Sequence, residues 1–198
     1  KSTLDNMKHP PVLVICDSQV VDVMVKETPS EIPCTTFSIL LSRIKGDLGL
    51  FTKGAQAVEQ LQPGDKVLIA EGCTHHAADD DIGRVKIPRM LEKKVQGKLD
   101  FTICSGHDFP ENLSEFKLVL HCGGCMLNRR EVLRRLQLAA AAGVPVVNYG
   151  MAISCCKGVL DRVIAPFAGK VTKEASEQAV ARISMTTSKE CFAEADYV

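Results

Sequence analysis

Short apolar runs alternate along this chain with segments of helical periodicity. Most of the runs are rich in Val, Ile and Leu and are bounded by turn-forming residues, which is typical of buried β-strands. We therefore predict strands over residues 11–17, 34–37, 66–71, 99–104, 117–120 and 144–148.

Segments with helical spacing lie between these runs, and the clearest of them covers residues 128–142. Its apolar positions form one face: Val132, Leu133, Leu136 and Ala140. We predict shorter helices up to about residue 26, over 39–45, 52–61 and 88–95, from 151 or 154 to 164, and over 173–183. Ser38 and Thr52 are the predicted N-caps of two of them.

Strands separated by helices indicate parallel pairing through right-handed crossovers. The predicted fold class is α/β, with two small Rossmann-like βα units and mainly parallel sheets. A Gln-Pro-Gly-Asp turn at residues 62–65 marks the predicted boundary between a domain at 1–62 and a domain at 63–198. The first domain has few residues for a core of its own, so we expect it to serve self-association.

Composition excludes several classes of protein. The chain has 198 residues, of which 45% are hydrophobic and 24% charged, as in ordinary globular proteins. Its formal net charge is zero and no basic stripe stands out, so we expect no nucleic-acid partner. No apolar run approaches the roughly 20 residues of a membrane helix, so we expect no membrane partner.

Cysteine usage indicates the compartment. Nine cysteines are many for an intracellular chain, and an odd number does not suit a secreted disulfide framework. Since no secretory signal is present, we predict a cytoplasmic protein whose clustered cysteines bind metal or carry out redox chemistry. The sequence does not begin with Met, and we expect a further domain upstream.

Two cysteine and histidine motifs follow predicted strands. The sequence CTHH begins at Cys73, and HCGGC occupies residues 121–125. Because ligands gather at the carboxyl ends of parallel strands, we expect the two motifs to meet at one sheet edge. Gly123 and Gly124 would allow the positive backbone angles of a tight turn, and the helix after it would favour thiolate with its positive end.

The spacing alone leaves the bound species open. Three cysteines and a histidine would satisfy tetrahedral zinc, and three cysteines with an exchangeable fourth ligand would suit a [4Fe–4S] cluster. His75 and His121 are alternatives for the fourth ligand or for hydrogen-bonding support. A structural zinc site in an interaction module is therefore the main alternative function. A thiol oxidoreductase ranks lower, since no general base or cofactor loop is recognisable.

The paired motifs, CTH from Cys73 and HCGGC at 121–125, resemble those of the HydF family of [FeFe]-hydrogenase maturation proteins. Residues 35–40, 46–48, 63–71 and 148–150 are similar to that family as well, and the resemblance covers about residues 10–168. In the family a GTPase domain precedes a dimerisation domain and a cluster domain. The resemblance implies that this chain comprises the last two, so that the fragment is not an enzyme although its parent would be a GTPase.

The resemblance also implies a site and partners. Cys73, Cys122 and Cys125 would hold a [4Fe–4S] cluster, and His75 and His121 match the family's histidines. An exchangeable fourth iron site would accept a transient two-iron precursor with carbonyl and cyanide ligands. The implied partners are a second copy of the chain, the radical-SAM maturation proteins and apo-[FeFe]-hydrogenase, which would receive the subcluster.

Overall fold

The computed structural model describes residues 7–72 and 81–167. The predicted ligand Cys73 lies outside the described residues, as do His75 and the predicted helix at 173–183. Cys122, Cys125 and His121 lie within them.

The first unit is a two-stranded parallel sheet with two helices. Strand β1 (Val14–Cys16) pairs in parallel with β2 (Cys34–Thr36). Helix α1 (Val21–Glu27) lies between the two strands in the chain, and α2 (Phe37–Lys45) follows β2 directly. The crossover from one strand to a parallel neighbour through a helix is the βα pattern that the sequence predicts.

The second unit is a four-stranded sheet in the order β4-β3-β5-β6, with every neighbouring pair parallel. Its strands are β3 (Lys66–Ala70), β4 (Asp100–Cys104), β5 (Leu118–His121) and β6 (Val146–Asn148). The remaining helices are α3 (Leu48–Val58), α4 (Ile87–Val95), α5 (Arg129–Ala141), α6 (Tyr149–Cys156) and α7 (Leu160–Ile164). The predicted α/β class with parallel sheets is confirmed.

Two predicted helix caps are wrong. Helix α2 is capped by Thr36, whose hydroxyl accepts from the backbone N–H three residues on at 3.4 Å, and not by Ser38. Helix α3 is capped by Asp47, whose carboxylate accepts a backbone N–H at 2.9 Å. Thr52 lies inside that helix and donates to a carbonyl of the preceding turn. In both cases a suitable cap lies a few residues upstream of the predicted one.

Two helix boundaries also differ from prediction. The helix expected to begin at residue 88 starts earlier, because Asp81 caps a π-helical turn (Ile82–Lys86) that runs into α4. The long helix expected to reach residue 164 is interrupted. Gly158 has a φ of +69° there, a left-handed conformation that ends α6 and separates it from α7.

Helix α3 packs on β6 of the four-stranded sheet. The approach is so close that a Cβ at Gly54 would lie 1.8 Å from the carbonyl oxygen of Val146, so only glycine fits. Helix α3 thus contacts the larger sheet although it precedes residue 62. The boundary between 62 and 63 stays a prediction.

Three of the four strands of the larger sheet are buried, and all four carboxyl ends lie at one edge of the sheet. All residues of β5 and β6 are buried, as are all those of β3 after Lys66. The ladder continues past the strands, since Glu71 N donates to Cys104 O and Cys122 N to Ala70 O, each at 2.9 Å. The loops after β3, β4 and β5 therefore leave the sheet side by side. Within the described ranges, no helix is long and apolar enough to cross a bilayer.

Candidate metal centre

The second cysteine motif forms a tight turn between β5 and α5. Gly124 has a φ of +63°, and its carbonyl accepts from Leu127 N at 3.0 Å. Gly123 does not have a positive φ, so only one of the two glycines is needed for its backbone angle. Asn128 caps α5 by accepting from a backbone N–H at 2.9 Å. The helix therefore begins just after the turn, with its positive end nearby.

The thiol of Cys122 accepts two backbone hydrogen bonds. Gly72 N lies 3.0 Å from Cys122 Sγ, and Gly124 N lies 3.3 Å from it. Amide donors stabilise a sulfur that carries negative charge, as thiolate or as metal ligand. Cys122 is half-buried and Cys125 is exposed, so the pair opens to the surface at the sheet edge.

Four other cysteines have surroundings that disfavour the thiolate. Burial raises the pKa of Cys104 and of Cys156 to about 11, and that of Cys155 to about 12. Burial and the neighbouring Asp17 carboxylate raise the pKa of Cys16 to about 11. These thiols stay neutral at ordinary pH, as is typical of cysteines that pack as small apolar residues.

The first motif lies outside the described residues, but the residues on both sides of it are described. Gly72, the residue before Cys73, contacts Cys122 through its N–H. On the far side, Arg84 reaches back to Glu71, with Nε 3.0 Å from Oε1 and Nη2 2.6 Å from Oε2. Glu71 is buried. This bidentate ion pair ties the two flanks together at the edge that carries Cys122.

The loop after β4 completes the buried carboxylate's hydrogen bonding. Ser105 Oγ donates to Glu71 Oε2 at 2.9 Å, and Gly106 N donates to the Glu71 carbonyl at 3.1 Å. Ser105 therefore supports the ion pair between the residues on either side of the first motif.

His121 lies beneath the turn. It is 1% exposed, and its Nδ1 lies 2.6 Å from the carbonyl oxygen of Cys122. Burial lowers the pKa of His121 to about 4, so the ring is neutral, with Nδ1 as donor. Its Nε2 is buried and has no hydrogen-bond partner among the described residues. The Nδ1 contact supports the turn, and the Nε2 atom is left for another partner, so the choice between hydrogen-bonding support and ligation stays a prediction.

Sequence reasoning missed Arg135, which lies on the inner face of α5. It is 1% exposed, donates to Glu131 Oε1 at 2.9 Å and places its guanidinium 5.0 Å from the ring centre of Phe109. It also donates to the carbonyl of Gly106. The signal available in the sequence was a charged residue between apolar positions of the helix, next to Leu136.

The thiols and amide N–H groups of this turn suit a metal ion or cluster that is bound through cysteine sulfur. Two cysteines share one turn, amide N–H groups point at one sulfur, and the residue before a third cysteine touches that sulfur. Among residues 7–72 and 81–167, no three His, Cys, Asp or Glu side chains come together as a complete metal site. The described part thus contains two of the three predicted ligands, and the third, Cys73, lies outside it.

The fold and this turn define a class: an α/β protein of two parallel-sheet units with paired thiols at the carboxyl edge of the larger sheet. The family model of the hydrogen maturase F tetramerization domain matches residues 49–166, more than half of the chain. The model of the hydrogen maturase F dimerization domain matches residues 1–46. The chain therefore belongs to the hydrogen maturase F family, which confirms the resemblance to HydF. No curated protein matches the chain.

Membership in this family shows two things about function. The chain takes part in hydrogenase maturation, and it carries a dimerisation and a tetramerisation domain, so it self-associates. The two matched segments meet between residues 46 and 49, at the start of α3.

Proposed function

We propose that this chain is an iron–sulfur scaffold that binds a [4Fe–4S] cluster through Cys73, Cys122 and Cys125. One observation carries the proposal: Cys122 Sγ accepts a hydrogen bond from Gly72, the residue covalently joined to Cys73. The loop with the third cysteine therefore starts in contact with the first of the paired thiols. Membership in the hydrogen maturase F family supports the same interpretation.

The site residues that the structure describes have different roles in this scaffold. Cys122 is the ligand stabilised by two amide donors, and Cys125 is the ligand on the open side of the turn. His121 holds the carbonyl of Cys122 and thereby orients the turn. Glu71 and Arg84 fix the flanks of the loop that carries Cys73. The cluster would supply a fourth, exchangeable iron site.

That exchangeable site is where a two-iron precursor would bind as cargo. We assign the source of the cargo to radical-SAM maturation proteins and its destination to apo-[FeFe]-hydrogenase. In this proposal the chain acts in the cytoplasm as a carrier and not as an enzyme. Release of the two-iron cargo requires weak ligation at one iron, and it requires no side chain that makes or breaks a covalent bond. His75 and His121 are the two alternatives for a labile fourth ligand.

Anaerobic reconstitution of single cysteine variants tests this proposal. Alanine at position 73, 122 or 125 should abolish the iron and sulfide load and the absorbance near about 400 nm that iron–sulfur sites give. Cys104→Ala is the matched control, because Cys104 ends a strand at the same edge with a pKa raised by burial. It should load as the unaltered chain does.

Two results would overturn the proposal. One is a full iron and sulfide load in the Cys73→Ala chain, since the two described cysteines would then suffice with other ligands. The other is stoichiometric zinc without sulfide in anaerobically purified protein, which would make the site structural.

A further inference from the structure

Lys45 is the last residue of α2, and its ammonium group binds the turn that carries the cysteine pair. Its Nζ lies 2.9 Å from the carbonyl oxygen of Gly124, 2.9 Å from that of Cys125 and 3.1 Å from that of Leu127. An ammonium group has three N–H donors and no acceptor. All of its donors are therefore used on the backbone of this one turn.

This contact joins the two family segments. Lys45 belongs to the segment that matches the dimerisation domain, and the turn belongs to the segment that matches the tetramerisation domain. The neighbouring contact is much weaker, since Arg129 Nη1 lies 3.5 Å from the carbonyl oxygen of Ile44. Lys45 is thus the principal polar link between α2 and the cysteine turn.

The direction of the three carbonyls matters for the opposite side of the turn. In a planar trans peptide the N–H points away from the C=O. Because Lys45 draws the carbonyls of Gly124 and Cys125 toward α2, the N–H groups of Cys125 and Met126 face away from α2. A ligand that uses those two N–H groups must therefore approach the turn from the side away from α2.

The electrostatic surroundings of Lys45 point the same way. Lys45 is half-buried, and in the described part of the chain its hydrogen-bond partners are these three neutral carbonyls, with no carboxylate. A cation held on the backbone of Cys125 favours an anionic group at that turn. It favours the more negative, reduced form of such a group most strongly.

We propose that Lys45 is a positioning residue for the cluster site, which locks the Cys122–Cys125 turn onto the dimerisation segment and raises the reduction potential of the bound cluster. This inference rests on the proposed function. It adds a mechanical and electrostatic link from the association domain to the ligands.

The test compares Lys45→Met, Lys45→Arg and the control Lys53→Met in the 198-residue chain. Methionine keeps most of the stem but removes the donors and the charge. Lys53 is an exposed lysine on the adjacent helix α3. The first readout is amide hydrogen exchange over residues 124–127 in the metal-free chain, and the second is the midpoint potential of the reconstituted cluster.

We expect Lys45→Met to speed exchange in the turn roughly tenfold or more and to shift the potential to a more negative value. Lys45→Arg should keep most of the potential, because it keeps the charge, with only part of the exchange protection, because a planar guanidinium fits three convergent carbonyls poorly. Lys53→Met should change neither readout.

Unchanged exchange in Lys45→Met would overturn the positional role. Equal shifts of potential in the Met and Arg variants would overturn the electrostatic one. If the unaltered chain loads no cluster, the proposed function fails, whereas a loaded chain whose Lys45 variants match it in both readouts refutes this inference alone.

Discussion

The two sheets of this protein differ in how completely they bury their own residues. The inner strands of the four-stranded sheet are closed off by helices, and Leu68, Ile69 and Leu120 are fully buried. The two-stranded unit leaves large apolar side chains in solvent: Val20 is 50% exposed, Val23 57%, Phe37 57% and Ile44 61%. A surface of that kind is typical of an association interface.

Ligand binding and self-association fall to different units of the molecule. The larger unit places the cysteine turn at the carboxyl edge of its sheet, where parallel sheets bind ligands. The smaller unit shares a core with it but leaves more apolar side chains exposed, and it is the segment that matches the dimerisation domain. Lys45 lies at the junction of the two units, so association and ligand binding touch at one side chain.

The largest expected effect concerns the buried ion pair between Glu71 and Arg84 in the larger unit. Replacing Arg84 by Met leaves Glu71 buried and without its bidentate partner. Removing one member of a buried pair typically costs about 3–5 kcal/mol, and we expect about 3 because Arg84 is 34% exposed. Urea unfolding followed by circular dichroism measures this loss.

The double variant Glu71→Gln with Arg84→Met is the control for that experiment. It removes the buried charge together with its partner, so it should recover a large part of the lost stability. Equal destabilisation in the single and double variants would show that the ion pair is not what secures the flanks of the loop.

A second prediction concerns the exposed face of the smaller unit. Phe37 and Ile44 are seven residues apart on α2 and therefore lie on one side of that helix. Aspartate at either position should weaken dimerisation by about 2 kcal/mol, roughly thirtyfold in the dissociation constant. Folding of the single chain should change little, and sedimentation equilibrium measures the dissociation constant.

Ile103 provides the matched control in the larger unit. It is 45% exposed on the edge strand β4. Aspartate there should leave the dimer constant unchanged and act only on the association of dimers. An effect on the dimer equal to that of Phe37→Asp would contradict the division of tasks between the two units.

A smaller effect concerns pH. Two arginines, Arg134 first and then Arg135, hold the pKa of Glu131 at about 2, below the ordinary glutamate pKa of 4.5. The folded state thus favours the ionised carboxylate, and that stability is present above pH 4.5 and is lost as pH falls toward about 2. We expect about 1–2 kcal/mol, measured by urea unfolding at pH 6 and pH 3.

The variant Glu131→Gln should lose less stability than the unaltered chain over the same pH interval. Asp22→Asn in the smaller unit is the comparison, because a hydrogen bond from Lys157 lowers the pKa of Asp22 but its side chain is 51% exposed. Asp22 should therefore contribute less than Glu131 to the pH dependence of the unfolding free energy. An identical pH loss in Glu131→Gln and the unaltered chain would contradict this prediction.

Apolar patterning was sufficient to predict most of the architecture. The run that forms β3 is apolar almost throughout. The apolar periodicity of residues 128–142 predicted helix α5, which Asn128 caps in the structure. The caps Thr36 and Asp47 were missed because several residues in each segment can accept a backbone N–H, and tertiary packing decides among them.

The contacts that organise the site depend on the fold and were not predictable. The hydrogen bond between Gly72 and Cys122 joins residues 50 positions apart, and that between Lys45 and Cys125 joins residues 80 apart. Neither partner carries a local signal of the other. The motif of Cys122 and Cys125 was recognisable because two thiols around glycines form a local pattern.

The most direct test is the crystal structure of the anaerobically reconstituted chain, with iron located by its anomalous scattering. The account predicts one iron–sulfur cubane at the carboxyl edge of the larger sheet, with the sulfurs of Cys73, Cys122 and Cys125 bonded to three different irons. A Cys73 sulfur more than about 10 Å from the other two, well beyond the span of one cubane, would contradict it.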